Sequence, residues 1–145
     1  MPGNKMNESF VAWALLSALF AGMTAVLGKK GVEGIPSNLA VAIRVCVVLV
    51  FAIGVAFATH QTQFATVSKR GLLFLGLSGI MTGASWLCYF RALQLGPVSR
   101  VAPIDKLSFV IAMLLGIAFL RERPPVHVLM GAGLVVVGVL LTLRP

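Results

Sequence analysis

Charged residues are scarce in this sequence, and acidic ones are the scarcest. Charged residues make up 11% of the 145 residues, with 12 Lys and Arg against 4 Asp and Glu. Soluble domains carry roughly 25% charged residues. A small fold has too much exterior to cover with apolar side chains, so the shortage of charge excludes an ordinary water-soluble domain.

Cysteine clusters and catalytic motifs are also missing. Cys46 and Cys88 both lie in apolar segments and form no CxxC or Cys/His cluster, which gives no sign of a disulfide framework or a metal site. The sequence contains no GxSxG, HExxH, phosphate-loop or dinucleotide-binding motif. We therefore expect no enzyme activity, no metal and no cofactor.

The sequence does contain long apolar segments. Apolar residues make up 59% of the chain, and the mean hydropathy is +0.99. A membrane span needs about 20 mostly apolar residues. Five such segments, at about residues 10–27, 38–58, 71–95, 98–120 and 126–143, fill nearly the whole chain. The predicted fold is an all-α membrane protein, a single domain over residues 1–145 formed by a bundle of five transmembrane helices.

The basic residues give the chain a net charge of +8, but they are scattered and lie mostly at the ends of apolar segments. This placement is typical of cytoplasmic and interfacial anchors in an inner or plasma membrane, not of a nucleic-acid-binding surface. Between the predicted spans, one side carries Lys5, Lys69, Arg70, Arg121 and Arg123, and the other carries Lys29, Lys30, Arg100 and Arg144. One side has only one more Lys or Arg than the other. This small excess leaves single and dual topology both open.

Apart from Arg100, which lies at the start of the fourth span, four charged residues fall inside predicted spans: Arg44, Arg91, Asp105 and Lys106. Because consecutive spans alternate in direction, all four are expected about 7–10 Å below the same membrane surface. Charges at that depth cost about 1–3 kcal/mol each unless they are paired or hydrated, and they usually face a cavity. Their net charge of two positive predicts a vestibule for an anionic or zwitterionic substrate.

The alternative for Arg44 and Arg91 is snorkelling, since their long side chains can reach the interface. Asp105 is too short to do so, and we expect it to be the counter-charge of the cations. Neighbouring residues on a helix point about 100° apart, so the partners of Asp105 and Lys106 are expected on other helices. Pro103 either interrupts the fourth helix or, if that helix begins near Ala102, is an ordinary first-turn proline.

Aromatic and small residues complete the set of candidates. Trp86 and Tyr89 either line a substrate pathway or anchor and pack the third span. Glycines at four-residue or shorter spacing allow close helix contact, and they are Gly79, Gly83, Gly131 and Gly133. The candidates for a substrate or coupling-ion pathway are Asp105, Lys106, Arg44, Arg91, Trp86, Tyr89 and Pro103.

The order of these features resembles the EamA-type branch of the drug/metabolite transporter superfamily, in its short five-span bacterial and archaeal members. The matching features are the Tyr-x-x-Ala-Leu run that begins at Tyr89, Pro103, Glu122 at the end of span four, and a last span rich in Gly and Ala. Longer members carry ten spans in two opposed halves, and this chain matches one half. The resemblance implies a carrier or exporter of a small metabolite that acts as a homodimer, either parallel or antiparallel.

Two alternatives remain open at this point. Small multidrug-resistance-like exporters of cations are also built from short subunits, but they carry a carboxylate in the middle of span one, where this chain has Leu15, Leu16 and Leu19. A non-transporting membrane assembly subunit is the other alternative. The charged residues within the spans argue against it.

Overall fold

Six α-helices make up most of the part of the chain that the structure describes. The computed structural model describes residues 3–63 and 67–143, with side chains from residue 10 onward, and these residues contain no strand. The helices are α1 (Gly3–Gly31), α2 (Ser37–Ala58), α3 (Lys69–Leu95), α4 (Val98–Asp105), α5 (Leu107–Leu120) and α6 (Val126–Thr142). The predicted all-α class is confirmed.

The helices are long and apolar enough to cross a membrane. Four segments qualify by length and composition: Phe10–Gly31, Ser37–Ala58, Lys69–Leu95 and Val98–Leu120, and α6 is a shorter apolar helix of 17 residues. Large apolar side chains lie on the outside, with Phe119 80% and Phe51 73% exposed. Water would oppose so much exposed apolar surface, whereas lipid accepts it, so this is a multi-pass membrane protein.

The first helix extends beyond the predicted span at both ends. It begins at Gly3, and it continues through Lys29 and Lys30 to Gly31. Lysine is a good helix former, and its positive charge interacts favourably with the negative end of the helix dipole. The two lysines therefore end the apolar stretch without ending the helix.

The chain divides into two packed units, and the first ends at Leu95. Within it, α3 packs against both α1 and α2. The contact with α1 is made at Gly28, where a Cβ atom would lie 3.5 Å from Leu93 Cδ1 and 3.6 Å from Phe90 Cζ. Leu93 is 0% exposed and Phe90 is 3% exposed. The core of this unit thus lies near the end of α3, where a residue without a side chain lets α1 approach.

In the second unit, the fourth apolar segment is two helices, α4 and α5, separated at Lys106. Because α4 begins at Val98, Pro103 lies inside it, and the first-turn alternative is wrong. A proline removes one backbone donor and crowds the preceding turn. Beyond it, Lys106 N–H donates to the carbonyl of Pro103 at 3.1 Å and Phe109 N–H donates to that of Lys106 at 3.3 Å, three residues back in each case. The helix is therefore interrupted three residues after the proline.

The end of α5 is a tight turn through Arg121. Arg121 has a left-handed backbone, with φ of 56° and ψ of 32°. This conformation brings the Glu122 N–H within 3.2 Å of the Gly116 carbonyl, which satisfies one of the acceptors left free at the helix end. The Glu122 carboxylate lies over Gly116, where a Cβ atom would be 2.9 Å from Oε2. A glycine at position 116 leaves room for this carboxylate.

We predict that Arg121→Gly stabilises the protein. Glycine adopts a left-handed backbone without the steric cost that an L-residue with a Cβ meets, and we expect the free energy of unfolding to rise by about 1 kcal/mol. The measurement is thermal or detergent-induced unfolding of the purified protein in micelles. Arg123→Gly is the matched control, because it removes the same charge at a position whose φ is not positive. Equal effects of the two substitutions would contradict the prediction.

Candidate functional site

The predicted pathway residues lie in both units. Arg44, Trp86, Tyr89 and Arg91 belong to the first, and Pro103, Asp105 and Lys106 belong to the second. The expectation that Asp105 balances the cations of spans two and three therefore stays a prediction. Within the first unit, the structure does bring Arg44 and Trp86 together.

Arg44 lies seven residues after the start of α2, about 10 Å along the helix. Its guanidinium carbon is 4.6 Å from the ring centroid of Trp86 and 5.4 Å from that of Phe90. Trp86 and Phe90 are four residues apart on α3, so both rings lie on the same helix face. Each such cation–π contact contributes about 0.5–2 kcal/mol, more where water is excluded. Two rings of α3 thus stabilise a charge carried by α2.

No carboxylate described in the first unit neutralises Arg44. The described carboxylate of this unit is Glu33, which pairs with Lys30 at 3.6 Å. Both groups are exposed, Lys30 in the last turn of α1 and Glu33 in the turn that follows it. The aromatic rings stabilise the Arg44 cation without removing its charge, so Arg44 remains able to bind an anion.

Arg44 borders an open groove between α1, α2 and α3. The groove has a volume of about 390 Å³ and is mostly apolar. Leu27 and Gly28 of α1 line one side, Ile43 and Val48 of α2 line another, and Phe90 closes it from α3. Thr24 and Arg44 supply the polar side chains of its wall. A mostly apolar cavity with a few polar groups is the usual form of a small-molecule site.

Arg91 takes part in a second, more polar arrangement at the end of α3. Its Nη1 donates to Oε1 of Gln94 at 3.1 Å, and Gln94 Nε2 donates to the Ile35 carbonyl at 2.7 Å. Lys29 Nζ donates to the carbonyl of Leu93 in the last turn of α3. These bonds tie the turn between α1 and α2 to the end of α3. Whether Arg91 also contacts a substrate stays a prediction.

The aromatic candidates differ in their surroundings. Trp86 covers the guanidinium of Arg44. Tyr89 contacts Phe90 edge-on, with ring centroids 6.3 Å apart and an interplanar angle of 63°. Sequence reasoning misses Phe90 and Gln94, both of which hold charged residues in place. For Phe90 the available signal is its spacing of four residues from Trp86; for Gln94 the sequence offers none.

Asp105 and Lys106 correct one expectation. They were expected to have partners on other helices, yet Lys106 Nζ lies 3.8 Å from Asp105 Oδ2. The backbone of Lys106 is right-handed helical, with φ of −68° and ψ of −12°, so it does not turn the two side chains to one face. The contact depends on the length and flexibility of the lysine side chain, which reaches back to its neighbour. The pair is partly exposed, with side-chain exposures of 59% for Lys106 and 37% for Asp105.

The packing glycines have no close neighbour in the part of the chain that the structure describes. A Cβ atom placed on Gly79, Gly83, Gly131 or Gly133 would meet nothing within 4 Å. Their role in helix contact, which would need a second chain, therefore stays a prediction. In the same described residues, no group of three His, Cys, Asp or Glu could hold a metal ion.

Comparison with known proteins gives consistent matches. The model of the EamA-like transporter family matches residues 9–144. A protein of Sinorhizobium sp, named an uncharacterized transporter in the cobO 3′ region, is 47% identical over 137 residues, which cover 94% of this chain and 97% of the relative. No solved structure matches the chain.

Two further relatives differ in how much of their length is matched. The probable 4-amino-4-deoxy-L-arabinose-phosphoundecaprenol flippase subunit ArnE of Hamiltonella defensa is 30% identical over 84 residues, 58% of this chain and 75% of the relative. The uncharacterized transporter YxxF of Bacillus subtilis is 26% identical over 144 residues, 96% of this chain. The match covers 44% of YxxF, so the chain spans less than half of that relative.

We predict that Gln94→Leu loosens the turn between α1 and α2. The substitution removes the donor to the Ile35 carbonyl and the acceptor for Arg91, and we expect stability to fall by about 1 kcal/mol. Hydrogen exchange of the amides in residues 32–35 should become faster. Gln61→Leu, at an exposed position after α2, is the control and should leave the turn unchanged. An unchanged rate of hydrogen exchange in Gln94→Leu would contradict a role of Gln94 in holding this turn.

Proposed function

Because the chain belongs to the EamA-like transporter family, we propose that it carries a small anionic or zwitterionic metabolite across the cell's inner or plasma membrane as a homodimer. The family and the transporter names of its relatives indicate a membrane transporter, not an enzyme. The charge of the substrate and the number of chains in the working unit are the parts that we propose.

The observation that carries the proposal is the Arg44 cation, which contacts aromatic rings and pairs with no described carboxylate of the first unit. A charge within a membrane span is costly and usually faces a cavity or a transport pathway. Arg44 borders the groove of the first unit. Its guanidinium contacts the rings of Trp86 and Phe90. An anionic group that enters the groove would meet a fixed positive charge and little competing charge.

The interruption of the fourth span supports the same function. Discontinuous helices with charged residues near the break are common at the binding sites of secondary transporters. Here the break falls at Lys106, beside Asp105, with Pro103 one turn before it. We propose that this pair contributes to the substrate or coupling-ion pathway. Because its two charges contact each other, either can exchange its partner for an ion.

The comparisons support a unit of more than one chain. The chain aligns with nearly all of its Sinorhizobium relative but with under half of YxxF. Two copies would supply the number of helices that longer transporters place in one chain. Gly79 and Gly131, which have no close neighbour within the described chain, leave room for such contacts.

A second candidate is a subunit that works with a different partner chain. ArnE is named as a probable subunit of a flippase whose cargo carries phosphate. That name favours an anionic cargo, and it also favours assembly with another protein over transport by this chain alone. The flux measurement below separates the two functions, because the purified chain transports by itself only in the first.

We predict that Arg44→Gln lowers flux by at least about tenfold, since a charge-assisted hydrogen bond to an anion contributes about 1.5–3 kcal/mol. The measurement is uptake into vesicles that contain the purified protein, with amino acids, organic acids and sugar phosphates as test solutes. Lys69→Gln, at the exposed start of α3, is the control and should transport at the wild-type rate. Transport of cations alone, or an unchanged rate in Arg44→Gln, would contradict an anion site at Arg44.

We predict dual topology for the homodimer. The helix ends and loops on the two sides differ by one Lys or Arg, five against four, which is too small a bias to impose one orientation. Reporters for each compartment, fused to the C-terminus, should both give signal, and cysteine cross-linking from Gly83→Cys should trap a dimer. The control is a chain with added lysines in the loop after α2, which should shift the signal to one compartment. Signal from one compartment in the unmodified chain would rule out dual insertion.

A further inference from the structure

The groove of the first unit differs from a site for a wholly hydrophilic metabolite, because one charged group stands in an otherwise apolar wall. We propose that it binds an amphiphilic oxyanion, with a carboxylate or phosphate head on the Arg44 guanidinium and an apolar chain along Leu27, Ile43 and Val48. This inference rests on the proposed function, and it names the class of substrate that the same site accepts.

The contacts of Arg44 indicate that the head group of the ligand is an oxyanion. A guanidinium stacked on aromatic rings keeps its N–H groups in the plane at its edge, where they form paired hydrogen bonds to the two oxygens of a carboxylate or phosphate. The guanidinium carbon of Arg44 lies 4.6 Å from the ring centroid of Trp86 and 5.4 Å from that of Phe90, within the range of cation–π contacts. Glu33, the carboxylate described in this unit, is paired with Lys30. The N–H groups of Arg44 therefore have no described carboxylate partner within this unit and can bind an oxyanion from outside it.

The rest of the groove wall indicates that the ligand has an apolar chain. Apart from Thr24 and Arg44, the side chains that line the groove are apolar. Hydroxyl groups of a ligand that faces this wall lose hydrogen bonds to water and find no partner there, whereas an alkyl chain gains by leaving water. The volume of about 390 Å³ accommodates a head group with a chain of several carbons.

Glycines keep the groove open. Gly28 and Gly31 both line it from α1. At Gly31 a Cβ atom would meet nothing within 4 Å, so a larger side chain there would extend into free space and not into the packed core. This position allows the groove to be filled without disturbing Phe90 or Leu93. A substitution at Gly31 therefore tests the contribution of the apolar chain to binding separately from that of the Arg44 charge.

The test uses Trp86 as a reporter, since it touches the guanidinium that binds the head group. The chain has two tryptophans, and Trp13→Phe leaves Trp86 as the one source of tryptophan emission. The protein is placed in nanodiscs of phosphatidylcholine alone and titrated with decanoate, decyl phosphate, decanol, acetate and inorganic phosphate. We expect decanoate or decyl phosphate to change the emission with an affinity at least about tenfold above that of decanol, acetate or phosphate.

Three variants in the same background test the two parts of the site. Arg44→Gln should weaken the decyl anion about tenfold and leave decanol unchanged. Arg44→Lys, which keeps the charge without the planar fork, should give an intermediate affinity, and it serves the same purpose if Arg44→Gln does not fold. Gly31→Leu should weaken decanoate while helix content stays constant. Tighter binding of decanoate identifies a carboxylate head, and tighter binding of decyl phosphate identifies a phosphate head.

The inference is overturned if decanol binds as tightly as the decyl anions, if acetate or phosphate binds as tightly as they do, or if the Arg44 variants bind them with wild-type affinity. Its failure is distinguishable from failure of the proposed function, because binding is measured without flux. Saturable uptake of a hydrophilic anion together with no decyl-anion binding rejects the inference and keeps the transporter. Binding without any flux supports the inference and rejects transport by this chain alone.

Discussion

The close approach of α1 to α3 at Gly28 determines what the first unit can do. Because position 28 has no side chain, Phe90 and Leu93 are buried against the helix backbone instead of being held away from it. A buried Phe90 has a fixed ring, and that ring, with Trp86 one turn earlier, stabilises the charge of Arg44. The position of the cation in α2 therefore depends on a glycine in a different helix.

The stabilisation of Arg44 has a physical consequence for selectivity. A carboxylate partner would cancel the charge and leave a dipole, whereas aromatic rings lower the energy of the cation and keep its charge. The same contrast separates the two units. In the second, Lys106 already has a carboxylate neighbour in Asp105, at 3.8 Å. The first unit thus presents a fixed positive charge, and the second presents a charge pair that can rearrange.

The sequence predicts the helical class and the order of the apolar segments, because each depends on local composition and on the length needed to cross a bilayer. It also identifies Arg44 and Trp86 as candidates, since a charge or a large aromatic inside an apolar segment is visible without the fold. It does not predict that they touch, or that Gln94 binds the Ile35 carbonyl, because these contacts join residues 42 and 59 positions apart. The contact between Asp105 and Lys106 has a local cause that helix geometry does not show: the lysine side chain is long enough to reach its neighbour although the two Cβ atoms point in different directions.

The unequal lengths of the helices bear on the lipid around the protein. The 22 residues of α2 extend about 33 Å, whereas the 17 residues of α6 extend about 26 Å. A hydrocarbon layer of about 30 Å matches neither. One bilayer accommodates both if α2 tilts and the lipid thins beside α6, at a cost of a fraction of a kcal/mol per Å. Where α6 crosses the bilayer, we expect a membrane that is thinner beside this helix than beside α2, and we expect lipids with shorter chains to be favoured there.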